Sequence, residues 1–383
     1  MSNKLLKLII YILNTPLYWI SYFIPKSSNI WVFGAWFGNQ YTDNSKYLFE
    51  YVNRNHKKIR PIWLSKSNKV LEYIHSLGYE AYSTYSFKGY YFGILAKYVI
   101  LSTAISDVNR YVCVSPSSTV LQLWHGTPLK KIHFDDKNNK LLNPIGVNRI
   151  VNLLTNFVFP FKGRHYDYMI SSSDIVTDCL KSAFQIKRKN ILPSGYPRND
   201  VLYSKKNTEK IILYLPTFRN NSNYNLFYNL NVYKMTAFLK DHDINFYYKL
   251  HYVDKSTLNE KNVNIKQLHD IDIYELLAIT DILITDYSSV YFDFLLTGRP
   301  IIFTPFDLDD YIRKERELYF NYHEVTPGPK CRDWNEVLLE LEKIISGKDD
   351  YKKERQIVNN RFNTFQDGNS SKRVVEFIQQ QII

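Results

Sequence analysis

Two kinds of segment alternate along this chain: short apolar runs of strand length, and amphipathic stretches with helical spacing between them. A helix is indicated at 45–53, and another at 70–77, which Gly78 ends. The predicted strands are 30–33, 61–64, 97–102, 120–124 and 168–171 in the first half, and 211–215, 245–250, 281–285 and 301–303 in the second. Strands and helices that alternate in this way indicate parallel sheets covered by helices.

The length of 383 residues exceeds what one hydrophobic core usually supports, so two domains are expected. The stretch 194–210 is rich in turn-forming and basic residues, and it interrupts the alternation. We therefore predict an α/β protein with two doubly wound parallel-sheet domains that face each other across a cleft. The predicted ranges are 29–193 for the N-terminal domain and 194–383 for the C-terminal domain, with a separate segment at 1–28.

The chain carries 49 Lys and Arg residues against 37 Asp and Glu residues, a formal charge of +12. An excess of this size favours an anionic partner, namely nucleic acid, a phospholipid surface or a phosphate-rich substrate. The three cysteines, Cys113, Cys179 and Cys331, are too widely spaced for a zinc motif and too few for a disulfide framework. The cysteine content therefore indicates a reduced, cytosolic location.

Residues 5–24 are largely apolar, but Lys7, Asn14 and Pro16 interrupt the run. A membrane-spanning helix needs about 20 predominantly apolar residues in succession. The Tyr and Trp side chains of this stretch favour the interfacial zone of a bilayer, and its lysines favour anionic headgroups. We predict that segment 1–28 is a monotopic helix on the cytoplasmic leaflet. A helix packed on the protein itself and a true membrane span are the alternatives.

A histidine stands at the end of a predicted strand, in the run WHGTPLKK at 124–131. Ligands of parallel sheets bind beyond the carboxyl ends of the strands, so His125 is placed to take a proton from an attacking hydroxyl near neutral pH. Gly126 permits a tight backbone turn, and Pro128 suits a helix start. The alternative is a histidine that only orders the turn.

A second polar cluster, TDYSS at 285–289, directly follows the predicted strand 281–285. Ser288 is predicted to be a helix N-cap. The amides of the first helical turn, the hydroxyls of Ser288 and Ser289, and the helix dipole would then form an anion site. The alternative is an ordinary N-cap without a ligand.

Basic residues follow two further strands: Arg219 comes after 211–215, and His251 comes after 245–250. Arginine offers a planar fork that matches phosphate oxygens, and histidine can donate hydrogen bonds to them. Together with the cluster at 285–289, these residues indicate one polyanionic ligand, such as a diphosphate.

The sequence has no phosphate loop with its Lys-Ser/Thr and no Gly-x-Gly-x-x-Gly after the first strand. Two Asp-x-Asp triplets, at 270–272 and 307–309, have the form of a metal-binding carboxylate pair, although such triplets arise easily by chance. We predict no cofactor and leave a magnesium requirement open. Cations and backbone amides would then stabilise the charge of a leaving group.

Several motifs follow one another in a specific order. They are YTDN at 41–44, HGTPLK at 125–130, SGYPRND at 194–200, PTFR at 216–219 and TDYSS at 285–289, with Phe292 and Asp293 after the last. In these motifs and their order the chain resembles the CDP-glycerol glycerophosphotransferase family, over about residues 30–365.

The resemblance implies a GT-B-like fold with two Rossmann-type domains. It also implies transfer of glycerol phosphate, or of a related polyol phosphate, from a CDP donor with release of CMP. His125 would be the catalytic base that deprotonates the acceptor hydroxyl. The residues implied to bind the donor are Thr217, Arg219, His251, Asp286, Ser288 and Ser289. The residues implied to shape or support the cleft are Gly126, Thr127, Lys130, Gly195, Arg198 and Asp200.

The partners that the resemblance implies are a CDP-glycerol or CDP-ribitol donor and an undecaprenyl-linked or capsular glycan acceptor. The expected location is the cytoplasmic face of the cell membrane, with an anionic membrane surface as a further partner. The sequence departs from the family pattern at Glu317 and Leu318, where a glycine is common, and after Pro329. These departures leave the choice between glycerol and ribitol open.

Two other functions are compatible with parts of the sequence. A GT-B glycosyltransferase that uses a sugar nucleotide would also need a diphosphate site. A non-catalytic binder of polyanions would explain the charge, but no nucleic-acid-binding module is recognisable, so nucleic acid is not an expected partner. The histidine motif at 125–130 favours the phosphotransferase.

Overall fold

The computed structural model describes residues 3–108, 114–137, 147–159, 165–204, 209–217, 219, 225–250, 264–269, 271–314 and 317–380. Within these residues the strands form two sheets in which every pairing is parallel. Parallel strands in one chain need crossovers, and helices supply them. The architecture is therefore α/β with two doubly wound sheets, as predicted.

The first sheet has seven strands in the order β3-β2-β1-β4-β5-β6-β7. Its strands are β1 (Ser27–Gly34), β2 (Arg60–Ser65), β3 (Ala81–Ser83), β4 (Ala96–Leu101), β5 (Thr119–Gln122), β6 (Tyr168–Ser171) and β7 (Ile191–Pro193). The second sheet has five strands in the order β10-β9-β8-β11-β12. Its strands are β8 (Lys210–Leu215), β9 (Ile244–Tyr248), β10 (Ile265–Gln267), β11 (Ile282–Thr285) and β12 (Ile301–Phe303).

Fourteen α-helices occur in the described residues. They are α1 (Asn3–Phe23), α2 (Asp43–Asn55), α3 (Asn68–Ser76), α4 (Phe87–Leu95), α5 (Val147–Val158), α6 (Asp174–Phe184), α7 (Val232–Asp241), α8 (Ile273–Leu277), α9 (Val290–Phe294), α10 (Leu308–Lys314), α11 (Tyr322–Val325), α12 (Trp334–Ile345), α13 (Lys352–Phe362) and α14 (Ser370–Gln380). A 3-10 helix at Pro197–Tyr203 crosses from the first sheet to the second.

All nine strands predicted from the sequence are present, with ends that differ by at most three residues. Three strands were not predicted: β3, β7 and β10. Each has three residues and lies at the edge of its sheet. Such short strands show too little periodicity to be recognised in a sequence, because the pairing of their backbone with a longer neighbour defines them.

The strand order reverses direction between β1 and β4 in the first sheet, and between β8 and β11 in the second. At such a point the crossovers leave in opposite directions, and a crevice opens beyond the carboxyl ends of the two strands. Each half of the chain therefore has one crevice, and the loops after β1, β4, β8 and β11 line them.

The last helix returns to the first half of the molecule. Val374, Val375 and Ile378 of α14 are buried in one cluster with Trp31 and Phe33 of β1. Burial of these apolar side chains stabilises the first sheet, although α14 lies in the sequence range 194–383 that was assigned to the C-terminal domain. The sequence pattern of an amphipathic helix does not show which sheet the helix packs against.

The helix α1 contacts the first domain near its C-terminal end. Tyr18 and Ser21 are buried, and the Ser21 carbonyl accepts hydrogen bonds from Lys26 Nζ (2.8 Å) and Ser115 Oγ (3.0 Å). In the described part of the chain, no helix combines the length and the apolar character that crossing a membrane requires.

Candidate active site at the facing edges of the two sheets

The loops around the carboxyl ends of β1 and β5 have an unusual backbone. Trp36, Phe37, Asp43 and Trp124 have φ values of 46°, 57°, 64° and 55°. Residues with a Cβ rarely adopt this left-handed region, and strain of this kind tends to collect at functional sites. Four such residues next to His125 mark this edge of the first sheet as the candidate site.

His125 follows β5 and is held by one hydrogen bond and two aromatic rings. Its Nδ1 lies 3.3 Å from the carbonyl oxygen of Ser102. Because a carbonyl can only accept, Nδ1 carries the proton, and the lone pair is on Nε2. The ring packs against Trp124 (centroid distance 3.9 Å) and Trp36 (5.8 Å). The imidazole is thus oriented with Nε2 as its basic nitrogen.

Burial lowers the pKa of His125 below its ordinary value of 6.5. The negative charge of Asp43 and the Ser102 carbonyl oppose this shift, and the positive charge of Arg198 adds to it. A lowered pKa keeps the imidazole neutral at neutral pH, which is the protonation state that a general base needs.

Ser102, the partner of His125, is fixed by Asp107 and Ser45. The Asp107 carboxylate accepts hydrogen bonds from the backbone N–H groups of Ser102 (3.1 Å), Thr103 (2.7 Å) and Phe37 (2.7 Å). Burial raises the pKa of Asp107 to about 6. The Ser102 hydroxyl contacts Ser45 Oγ at 2.7 Å. One carboxylate therefore holds together the loops that follow β1 and β4.

Arg198 joins the two halves of the molecule at the base of this site. Its guanidinium donates to Asp43 Oδ1 (2.8 Å) at the start of α2 and to Asp293 Oδ2 (2.7 Å) in α9, and all three side chains are at least 94% buried. Its backbone N–H donates to Asn44 Oδ1 (3.1 Å). Since α2 belongs to the first half and α9 to the second, this pair of ion bridges ties them together.

Gly126 brings the turn after β5 against the second half. Its φ is 132°, and a Cβ at this position would lie 2.6 Å from Arg198 Nη2 and 3.6 Å from Ser289 Oγ. The neighbouring Thr127 is buried, with its hydroxyl 3.2 Å from Ser172 Oγ. Any side chain at 126 would collide with the buried arginine, so a glycine here lets the His125 turn approach the turn after β11.

Segment 129–131 also pairs with the second half. Lys130 forms an antiparallel bridge with Leu318, and the backbone N–H of Tyr319 donates to the Leu129 carbonyl (2.9 Å). The Lys130 ammonium lies 5.1 Å from the centre of the Tyr311 ring, which Arg219 approaches to 5.0 Å. Cations from both halves therefore contact the same aromatic ring.

Arg219 is held by carboxylates at the edge of the second sheet. Its guanidinium lies 2.8 Å from Asp286 Oδ2 and 2.8 Å from Asp307 Oδ2, and its side chain is 6% exposed. These charges raise its pKa further. Asp286 in turn accepts from the backbone N–H of Thr217 (2.7 Å). The observed role of Arg219 is to order the ends of β8 and β11. Its direct contact with a donor diphosphate, and those of Thr217 and Asp286, stay predictions.

The prediction that Ser288 is a helix N-cap is wrong. The helix α9 begins at Val290, and the residue before it is Ser289, which has helical dihedral angles and makes no capping hydrogen bond. Ser288 Oγ accepts only a long contact of 3.5 Å from the Val290 N–H. The proposed anion site at a capped helix therefore loses its basis, although the Ser289 hydroxyl lies close to Gly126.

Gly195 and Asp200 contact the start of α14. The Asp200 carboxylate accepts from the backbone N–H groups of Ser370 and Ser371, both at 2.8 Å, at the first turn of α14. Gly195 has a φ of 78°, and a Cβ there would lie 2.6 Å from Ser370 Oγ. These contacts anchor α14, and the cleft role that the motif at 194–200 implies stays a prediction.

His251 and Asp270 lie outside the described residues, so the donor contact of His251 stays a prediction. Two of the other acidic residues considered for a metal have protein partners: Asp272 pairs with Lys46 (2.6 Å), and Asp307 pairs with Arg219. Across the described ranges, no three His, Cys, Asp or Glu side chains converge as a metal site would require.

A family model described as CDP-glycerol:poly(glycerophosphate) glycerophosphotransferase matches residues 17–380. The chain belongs to this family. It is therefore a transferase that moves glycerol phosphate from CDP-glycerol in teichoic-acid biosynthesis, as the motifs implied.

Two curated relatives match nearly the whole chain. The teichoic acid glycerol-phosphate transferase of Staphylococcus aureus is 32% identical over 377 residues, covering 92% of this chain and 93% of the relative. The teichoic acid poly(glycerol phosphate) polymerase of Bacillus spizizenii is 31% identical over 389 residues and covers 92% of both.

Among solved structures, the wall teichoic acid polymerase TagF superposes with a TM-score of 0.78 at 25% identity, covering all of this chain and 98% of that one. A UDP-GlcNAc 2-epimerase from Neisseria meningitidis superposes with a TM-score of 0.52 at 13% identity, over 91% and 99% of the two chains. The second likeness concerns the fold alone. Together they confirm the GT-B-like arrangement of the glycerophosphotransferase.

Sequence reasoning missed Asp107, Asp43 and Asp293 as residues that support the site. Asp43 and Asp293 occur in quoted motifs, but their shared partner Arg198 is 155 and 95 residues away in the sequence. The sequence signal for these residues was their position at the start of a helix or inside a motif. Such a signal does not identify a distant partner.

We predict that Asp43→Asn moves the acidic limb of the kcat/KM profile of this glycerophosphotransferase to lower pH, by on the order of one pH unit. The Asp43 charge raises the pKa of His125, so its removal lets the pKa fall further. The measurement is the initial rate of CMP release at about ten pH values between pH 5 and pH 9.

Asp293→Asn is the matched control, because it removes the other carboxylate of Arg198 and leaves Asp43 in place. Both variants should lose about 3 kcal/mol of unfolding free energy. Only the Asp43 variant should shift the acidic limb of the kcat/KM profile. Equal shifts in both variants would contradict the assignment of this limb to His125 under the influence of Asp43.

Proposed function

We propose that this chain transfers glycerol phosphate from CDP-glycerol to a terminal hydroxyl of a growing teichoic-acid chain. The observation that carries the proposal is the orientation of His125, whose Nδ1 is tied to the Ser102 carbonyl. Its basic Nε2 is thereby available to an alcohol at the edge where the two sheets meet.

In the proposed reaction, His125 Nε2 takes the proton of the acceptor hydroxyl, and the oxygen attacks the phosphorus that carries glycerol. A new P–O bond forms to the acceptor, and the P–O bond to the bridging oxygen of the diphosphate breaks. The electron pair leaves with CMP. The product is a phosphodiester, and the proton on His125 returns to solvent or to the leaving group.

The burial of this edge strengthens electrostatic interactions with the donor. The ammonium of Lys130 lies 5.1 Å from the centre of the Tyr311 ring, which Arg219 also approaches, so it places positive charge where the developing charge on CMP would need it. The hydroxyls of Ser288 and Ser289 supply hydrogen-bond donors at the facing turn.

We favour glycerol over ribitol as the polyol. The relatives named as glycerol-phosphate enzymes in Staphylococcus aureus and Bacillus spizizenii are 32% and 31% identical to the chain. A teichoic acid ribitol-phosphate primase of Bacillus spizizenii is 28% identical over 381 residues. The closer likeness to glycerol enzymes supports CDP-glycerol as the preferred donor.

We also infer that the protein binds peripherally to the cytoplasmic face of the cell membrane, where an undecaprenyl-linked acceptor would be held. The support is α1, on which Leu13, Leu17 and Ile20 are 66%, 47% and 56% exposed at helical spacing. A continuous apolar stripe exposed in this way is typical of a helix that lies in the interfacial zone.

We predict that His125→Ala lowers kcat by at least about 100-fold with CDP-glycerol, while the Kd for the donor changes little. The readouts are mass spectrometry of the lipid-linked product and calorimetric binding of CDP-glycerol. His75→Ala is the control, since His75 on α3 also contacts a backbone carbonyl, that of Ala81, at 2.9 Å.

The same assay should yield a phosphodiester with CDP-glycerol, less product with CDP-ribitol, and none with a UDP-sugar. A glycosidic product, or a His125→Ala rate near that of the unchanged protein, would contradict the proposed function.

We predict that the triple variant Leu13→Ser, Leu17→Ser, Ile20→Ser weakens binding to phospholipid vesicles by at least about tenfold, because each buried apolar side chain contributes about 1.5–3 kcal/mol. Vesicle co-sedimentation of the full chain measures this. Ile357→Ser is the control, since Ile357 is 67% exposed on α13. Unchanged binding of the triple variant would exclude the stripe as the attachment surface.

A further inference from the structure

A cavity of about 540 Å³ opens at the amino edge of the first sheet. Its lining includes Ser28 of β1, Lys97 and Tyr98 of β4, and Phe23 at the end of α1. The strands begin here, with Ser27 paired to Ala96. His125 follows the carboxyl end of β5, so the cavity lies at the opposite edge of the sheet and belongs to a different site.

Two lysines line this cavity, and none of its lining residues is acidic. The Lys26 ammonium is held in place by the carbonyls of Ser21 (2.8 Å) and Ile94 (2.5 Å), which leaves one of its three N–H donors. Burial and the nearby charge of Lys97 lower the pKa of Lys26 to about 8. Two lysines that line one cavity repel each other, and a bound anion would relieve the repulsion.

Hydroxyl groups complete the polar part of the lining. Ser28 and Ser117 both line the cavity, and the Ser117 hydroxyl donates to the Tyr22 carbonyl (3.3 Å). The two ammonium groups and the Ser28 hydroxyl are donors of the kind that match the oxygens of a phosphate group.

The wall formed by α1 indicates where the phosphate comes from. Tyr22 and Phe23 line the cavity, and Phe23 is 81% exposed at the end of the helix that carries the apolar stripe. A phosphate that enters here would therefore have apolar surface beside it, as a lipid headgroup has when its chains lie in the bilayer.

We propose that this cavity binds the phosphate of an anionic phospholipid headgroup, between Lys26 and Lys97 and next to the end of α1. The proposal rests on the membrane attachment inferred above, and it adds a specific headgroup site to an apolar surface. The site would orient the domain on the bilayer and hold the catalytic edge at a constant distance from lipid-linked acceptors.

The test uses the full chain and vesicles of phosphatidylcholine, with and without phosphatidylglycerol. Lys97→Ala should weaken binding to the phosphatidylglycerol vesicles by about tenfold, because a charge-assisted hydrogen bond to phosphate is lost. Lys97→Arg should retain binding. Lys69→Ala, at an exposed lysine on α3, is the matched control for general attraction between a basic protein and an anionic surface.

Equal losses for Lys97→Ala and Lys69→Ala would overturn the proposal, because they would show general attraction only. A Lys97-dependent rise in thermal stability with free glycerol 3-phosphate, but no Lys97-dependent vesicle binding, would also overturn it and would assign the cavity to a soluble phosphate ester. Thermal unfolding of each variant without ligand checks that it is folded.

Transfer of glycerol phosphate to a short soluble acceptor should be the same in Lys97→Ala as in the unchanged protein. This readout separates the two claims: loss of vesicle binding with normal transfer supports the headgroup site, whereas failure of transfer in the unchanged protein would count against the proposed function alone.

Discussion

The buried ion pairs of Arg198 hold the two halves of this protein in one arrangement. Its guanidinium meets Asp43 from the first half and Asp293 from the second, and all three are removed from water. Removing one partner would leave an uncompensated charge in the interior, which typically lowers the free energy of unfolding by about 3–5 kcal/mol. The close approach of Gly126 to Arg198 means that the His125 turn takes its position from this same group.

The groups around His125 show how the fold prepares a general base. Asp107 fixes the loops after β1 and β4, Ser102 receives the Nδ1 proton, and two tryptophans enclose the ring. The loops after β1 and β5 include residues with a left-handed backbone. The folded structure sustains this strain, and the result is an imidazole with a defined tautomer and a lowered pKa.

Much of the fold could be predicted because nine of the strands carry their apolar pattern in the local sequence. The short edge strands β3, β7 and β10 and the return of α14 could not, since tertiary pairing decides them. At the site, the motifs included His125 and Arg198, but the N-cap predicted at Ser288 is not formed, and the contacts of Gly195 and Asp200 with the start of α14 were not predicted. A motif shows which residues occur together, and only the fold shows which partner each one meets.

The central claim is that the carboxyl edges of both sheets enclose one CDP-glycerol molecule, with His125 facing the incoming alcohol. A crystal structure of the full chain with CDP-glycerol bound tests it most directly. The account predicts the diphosphate between the turn at 286–289 and the turn at 125–127, with the glycerol-bearing phosphorus within about 5 Å of His125 Nε2, close enough for an acceptor oxygen to lie between them. A diphosphate bound at the amino edge of either sheet, or out of reach of His125, would contradict it.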